Sequence, residues 1–132
     1  KVAFVSHSTF GQPVTSRTKH IKKAVDILKD KKVDFEFDGD MQPDVALNSE
    51  YEELYPFSKI VGKANILIMP GQHSAAISYK LMKTFGDTKV IGPLLIGLGL
   101  PIEIAPLRTS TSELINLASI AAYSAEKIDY SK

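Results

Sequence analysis

The sequence predicts an α/β fold, a mostly parallel sheet with flanking helices. Three observations carry that reading. Two strand-length apolar runs, Val2 to Ser6 and Ala64 to Met69, each empty into a loop of small and polar residues. Each loop is followed by apolar residues at helical spacing. The two kinds of segment alternate along the chain, as strand–helix–strand crossovers require.

The first strand, Val2 to Ser6, feeds Ser-His-Ser-Thr-Phe-Gly, a loop sequence. Pro13 to Ser16 lead into a helix with Ile21, Ala24, Val25 and Leu28 on one face. Lys22, Lys23, Lys29, Lys31 and Lys32 fit its solvated side and its C-terminal end, where cations suit the helix dipole. Val33 to Phe37 alternates apolar and acidic residues, as a half-exposed strand does, and Gly39 is expected to break it. Pro43 to Leu47 reads as a short helix with proline in its first turn, and Glu50 to Leu54 as another. Ala64 to Met69 is nearly continuous apolar sequence, which predicts a strand covered on both faces. Ser74 is the expected N-cap of a helix to Phe85, with Ile77, Leu81 and Phe85 four apart, closed by Gly86-Asp87. Val90 to Ile96 is again apolar but interrupted by Gly92-Pro93. Ser110 to Glu113 matches a capping box opening a final helix, Thr111 to about Lys127. That helix is apolar on most sides and is expected to be buried, within the fold or against a partner.

At 132 residues the chain is one domain or part of one. It begins at Lys1, already inside a strand, and is expected to be a piece of something longer. A net charge of +1 gives no case for nucleic acid or an anionic membrane. The absence of cysteine rules out disulfides, thiolate metal sites and thiol nucleophiles. No apolar run approaches the roughly 18–20 residues of a membrane span, and nothing resembles a signal peptide. A cytoplasmic location is expected.

Asp34, Glu36, Asp38 and Gly39 imitate the start of a calcium loop, but Val45 stands where a bidentate Glu is needed. Gly97-Leu98-Gly99 lacks the third glycine of a dinucleotide fingerprint. His7, His20 and His73 are isolated in sequence, and a metal site would need them to converge with carboxylates. Two loops remain, Ser6 to Gly11 and Pro70 to Ser74. In open parallel sheets ligands bind outside the carboxyl ends of the strands, where helix N-termini offer free N–H groups to anions. Ser8, Thr9, Gly11, Gly71 and Ser74 are small or hydroxylated, which lets a ligand approach the backbone. The same residues are also ordinary turn formers.

Several ordered blocks resemble a known family. Asp38-Gly39-Asp40-Met41-Gln42-Pro43-Asp44-Val45-Ala46-Leu47 resembles the Asp-Gly-Glu-Met-Gln-x-Asp-x-Ala-Leu motif of the phosphate acetyl/butyryl transferases. Gly62 to Pro70 is similar to that family's Gly-x-Ala-Asn-Val-Leu-Ile-x-Pro strand, and Ile77 to Leu81 and Ile91 to Gly97 to its next two blocks. Leu54-Tyr55-Pro56-Phe57-Ser58 and Ser8-Thr9-Phe10-Gly11 look like the phosphotransacetylase-like domain of bacterial NADP-dependent malic enzymes. Transferases tend to have Lys where Phe10 stands. The family domain is much longer, so residues 1–132 resemble its C-terminal portion.

The resemblance implies an isocitrate/isopropylmalate dehydrogenase-like fold, present here as a partial domain. It implies acyl-CoA, acetyl-CoA above all, as an effector rather than a cofactor. It also implies a homo-oligomer, and a malate-oxidising domain elsewhere in the parent chain that carries the NADP and divalent-metal sites. The ligand-binding positions it suggests, together with the two loops, are Ser8, Thr9, Gly11, Asp44, Ser74, Tyr79, Lys80, Gly92, Pro93 and Arg108. Departures bear on catalysis. Pro106 and Leu107 stand where the transferases carry Ser-Arg, and Leu cannot grip phosphate or stabilise charge as Arg does. Arg108 falls one residue late. Glu113 aligns with the family's acidic residue, and Ala76 with its Asn. Arg108 and Glu113 are therefore the remaining catalytic candidates, and a regulatory module without catalysis of its own is the expected function.

Overall fold

The structure is a computed structural model that describes residues 1–87 and 89–127. The chain divides into two compact units, Lys1–Ser78 and Tyr79–Lys132.

The first unit is built on a three-stranded parallel sheet of order β2-β1-β3. The strands are β1 (Val2–Val5), β2 (Phe37–Met41) and β3 (Ile66–Ile68). Helix α1 (Ser16–Asp30) connects β1 to β2, and α2 (Pro43–Leu47) with a 3-10 turn (Ser49–Glu52) lies on the way to β3. β1 is central, with Val2 paired to both Phe37 and Ile66. The chain therefore leaves β1 to one side for β2 and returns on the other for β3, which makes a topological switch point between β1 and β3.

The core gathers Ala3, Val5, Met41, Ala46, Ile60 and Ala64, with Phe10, Val45, Leu67 and Met69 packed against it. α1 contributes Val25, which is buried, and presents its lysines outward as expected. A capping box between Thr15 and Thr18 fixes its start: the Thr18 N–H donates to Thr15 Oγ1 (3.2 Å) and the Thr15 N–H to Thr18 Oγ1 (2.8 Å).

Three sequence expectations are corrected here. β2 starts at Phe37 rather than Val33, and Gly39 lies inside it instead of ending it. The reason is close approach. Gly39 has φ +152, and a Cβ there would sit 2.6 Å from the Phe4 carbonyl oxygen and 2.7 Å from Phe4 Cβ. Only glycine lets β2 lie this near β1. β3 is shorter than the apolar run and is not covered on both faces. It is an edge strand of this sheet, with Leu67 turned toward the core while Ile66 and Ile68 are exposed. Helix α3 (Gln72–Phe85) starts two residues before Ser74, so Ser74 is not its N-cap; the Ser74 hydroxyl donates to the Gly71 carbonyl (2.8 Å).

Tyr79 to Phe85 of α3 belong to the second unit, which also holds helix α4 (Thr111–Glu126). The run between the helices carries no strand among its described residues. The Ser110 capping box is present as read from the sequence. Burial of α4 within the fold is corrected: Leu117 is its only buried residue, and Leu114 and Ile115 are exposed, because its apolar stripe has too little packed against it among the described residues. No helix of the described residues is long and apolar enough to cross a membrane.

Candidate functional site

The loop after β1 is held from below by a buried carboxylate. Asp40 on β2 is 2 % exposed. It accepts the Ser8 hydroxyl and the Gly11 N–H, the latter at 3.0 Å, and its carbonyl accepts the Phe10 N–H at 2.6 Å. Ser8 is fully buried, with its Oγ 3.2 Å from Ser6 Oγ. Thr9 and Gln12 exchange backbone hydrogen bonds, and Thr9 Oγ1 accepts the Gln42 N–H (3.2 Å). A buried carboxylate is stable only when such donors surround it. Ser8, Thr9 and Gly11 thus shape the loop through internal bonds. Asp38 has the same role two residues earlier on β2, accepting the Gly39 and Lys59 N–H groups (2.9 and 2.8 Å). The acidic run that imitates a calcium loop therefore ends, at Asp38, in a carboxylate that anchors backbone.

Above this loop a cleft of about 750 Å³ opens outside the carboxyl ends of β1 and β3, at the switch point. Val5, Ser6 and His7 form one wall, and Met69 to Ser74 form the other. α1 contributes Arg17 and Ile21, and the start of α2 contributes Pro43. Among the described residues no carboxylate lines the cleft, and Arg17 is the only fixed charge in its lining. The first turn of α3 sits in its wall, where the leading N–H groups have no intrahelical acceptor. His7 and His73, isolated in sequence, both line this cleft; His20 does not. Of the residues singled out from the sequence as ligand-binding positions, Ser74 lines this cleft. Arg17 was not among them, because in sequence it is one more cation on a lysine-rich helix.

The other singled-out residues lie elsewhere. Asp44 is exposed in the first turn of α2, 3.5 Å from the Tyr51 hydroxyl that donates to it. In the second unit Tyr79 donates to the Gly92 carbonyl at 2.5 Å, while Lys80 and Pro93 are not buried. Glu113 caps α4 and pairs with Lys83 at 2.6 Å. The Lys83 ammonium, then the Ser110 N–H and hydroxyl, hold its carboxyl at about 2, well below the usual carboxylate range. The same contact raises Lys83.

The comparisons with known proteins decide the family. Residues 1–122 match the model of the Phosphate acetyl/butaryl transferase family. The chain belongs to this family. It is 49 % identical over 125 residues to an NADP-dependent malic enzyme of Rhizobium meliloti, covering 95 % of this chain and 16 % of that protein. It is 34 % identical to a phosphate acetyltransferase of Clostridium acetobutylicum, covering 96 % of this chain and 38 % of that one. A phosphotransacetylase structure from Streptococcus pyogenes superposes with a TM-score of 0.87 at 30 % identity, covering 96 % of this chain and 39 % of that one. The chain thus spans about a sixth of the malic enzyme and about two-fifths of the transferases. These matches bear out the α/β class and the resemblance to the phosphotransacetylase-like domain of malic enzymes.

Two stretches that the resemblance sets apart from the transferases take physical form. The blocks most like malic enzymes, around Phe10 and around Tyr55 to Phe57, meet in space. The Phe10 ring lies 5.4 Å from Tyr55 and 4.8 Å from Phe57. The turn at Pro106 and Leu107 is closed by Thr109, whose N–H and hydroxyl both donate to the Pro106 carbonyl (3.0 and 2.5 Å). That closure fixes the register of the turn. Arg108 stays exposed, and among the described residues it pairs with no carboxylate.

Proposed function

We propose that this chain is part of a regulatory domain that senses acetyl-CoA or a related acyl-CoA, without transferase chemistry of its own. The observation that carries the reading is the cleft at the β1–β3 switch point. It combines one fixed cation and helix-terminal amides with an apolar wall of Val5, Ile21, Pro43 and Met69. Such a lining suits a ligand that is both anionic and apolar. Against catalysis stands Pro106-Leu107 in a closed turn where the transferases carry Ser-Arg, since a Leu cannot stabilise an acyl-transfer transition state.

On this reading the effector controls a malate-oxidising domain of the parent chain. NADP and a divalent metal would be bound in that domain. The parent protein is a cytoplasmic homo-oligomer. Ser8, Thr9 and Gly11 act by shaping the cleft loop, and Ser74 by lining the cleft. Asp44, Tyr79, Lys80, Gly92, Pro93 and Arg108 are proposed to serve ligand binding in the complete domain. Titrating acetyl-CoA calorimetrically into the full-length parent protein tests it. Saturable binding that lowers malate oxidation is expected; no heat at millimolar ligand would sink the proposal.

Arg108 supports a second reading, because its guanidinium is exposed and pairs with no carboxylate among the described residues. In that reading the domain transfers acetyl between CoA and phosphate, with Arg108 gripping phosphate and Glu113 close by in sequence. Acetyl phosphate formation would then fall at least about 100-fold in Arg108→Ala, the usual scale for losing one transition-state donor. An unchanged rate removes the mechanism. A purely structural oligomerisation module, suggested by the exposed apolar residues of α4, predicts an oligomer by light scattering and no response to acyl-CoA.

A further inference from the structure

We infer that Arg17 is the anion anchor of the cleft and holds a phosphate group of its ligand. The identity of that ligand as an acyl-CoA rests on the reading above. The chain has two arginines, Arg17 and Arg108. Arg108 is fixed on the exposed turn of the second unit, whereas Arg17 lines the cleft in the first. Among the described residues no carboxylate shares the cleft lining and Arg17 forms no ion pair. Its guanidinium thus keeps its charge and all its donors for a ligand. The planar fork matches two oxygens of a phosphate. His7 and His73 line the same cleft, and the first turn of α3 brings amides. This donor set exceeds what one carboxylate can use and suits a phosphate.

The placement of Arg17 also argues for function over stability. It is the second residue of α1, whose first turn holds no acidic residue. A cation there opposes the helix dipole. The Thr15–Thr18 capping box holds the turn firmly all the same, so the backbone at Arg17 is fixed before any ligand arrives. A residue that costs the helix a little stability and faces a carboxylate-free cleft is best explained by the anion it binds.

The test uses the full-length parent protein and three probes: acetyl-CoA, acetyl-pantetheine, which lacks phosphate, and inorganic phosphate. Wild type is expected to bind acetyl-CoA far more tightly than acetyl-pantetheine. Arg17→Ala should weaken acetyl-CoA about 10–100-fold, the scale of a lost charge-assisted hydrogen bond, and leave acetyl-pantetheine unchanged. Arg17→Lys should recover part of the loss. Thermal melting of Arg17→Ala without ligand should be unchanged or slightly higher, since the dipole conflict is relieved; if that variant fails to fold, Arg17→Gln replaces it. Equal acetyl-CoA affinity in wild type and Arg17→Ala overturns the inference and leaves the acyl-CoA reading intact. If wild type binds no acetyl-CoA, that reading fails, and inorganic phosphate decides the inference. Phosphate that raises the melting temperature of wild type but not of Arg17→Ala supports a site for free phosphate. An equal or absent rise in both overturns it.

Discussion

The two units bury their apolar residues very differently. The first closes a core on a three-stranded sheet: Ala3 is fully buried, Val5 and Met41 nearly so, and the loops around it are tied by buried carboxylates. The second is as apolar in sequence, yet Leu117 is its one buried apolar residue among those described, while Ile96, Leu107 and Ile115 are well exposed. Its order rests instead on local polar devices, the Ser110–Glu113 capping box, the Lys83–Glu113 pair and the Tyr79–Gly92 bond. Apolar sequence is therefore not the same as a core. A sheet brings apolar side chains together over long sequence separations, whereas a helix with an unpartnered stripe leaves them outside. Substitutions in the full-length protein probe the difference.

The largest effect is expected at Gly39. An alanine there would place its Cβ 2.6 Å from the Phe4 carbonyl oxygen at φ +152. Backbone strain of about 1–3 kcal/mol adds to overpacking of about 1–3 kcal/mol, so Gly39→Ala should lose about 4 kcal/mol in urea unfolding. Gly99→Ala is the matched control in the second unit, where an added Cβ meets nothing within 4 Å. It should fall within about 0.5 kcal/mol of wild type. Equal losses at the two sites would erase the contrast between the units.

Asp40→Ala comes next. It strips the buried Ser8 hydroxyl and the Gly11 N–H of their acceptor. Two lost bonds to a charged group, with a donor left unsatisfied, cost about 3 kcal/mol. The loop that walls the cleft should loosen as well, so amide exchange of Ser8 to Gly11 should accelerate relative to β1. A stability loss without faster exchange in that loop would place the role of Asp40 in the sheet and not in the site.

How much of this is legible in the sequence follows from the same physics. β1, α1, α2, α4 and the α4 capping box can be read because each rests on local periodicity or cap chemistry. Gly39 is misread because glycine signals a break unless one knows that Phe4 of a neighbouring strand lies against it. The coverage of β3 is misread because a run of apolar residues cannot say whether anything lies on its outer face. At the site, the two loops are visible as strand ends, but Asp40 and Arg17 are not. Asp40 acts through a fold-dependent contact with Ser8, thirty-two residues away. Arg17 is indistinguishable in sequence from any surface cation. That His7 and His73 line one cleft depends on β1 and β3 being neighbours, a topological fact with no local signature.

The burial contrast within the second unit gives a smaller effect. Leu117, 7 % exposed, should cost about 2 kcal/mol as Leu117→Ala, near the low end for a buried leucine. Ile115, 61 % exposed, should cost under about 0.5 kcal/mol as Ile115→Ala beyond its change in helix propensity. A large loss at Ile115, measured by chemical denaturation of the full-length protein, would mean that its face is covered in the complete assembly.

The smallest effect is the pH response of the Lys83–Glu113 pair. The carboxyl of Glu113 is held down to about 2 in the folded chain, chiefly by Lys83 and then by the Ser110 donors. A depressed carboxyl stabilises the fold above its unfolded value, and the stabilisation is lost as pH falls through the folded value. The contribution of this pair should thus be complete above about 4.5 and disappear on acidification toward about 2. Both side chains are solvent-accessible, so screening keeps the effect small and makes it shrink with salt. Melting of wild type and Glu113→Gln compared from pH 6 down to pH 2 checks it. The two curves should converge as pH falls, and 1 M salt should narrow the gap at pH 6. A gap unchanged from pH 6 to pH 2 would show that the charge of Glu113 is not what stabilises the fold, because Gln still accepts from the Ser110 N–H and loses only the charged pairing with Lys83.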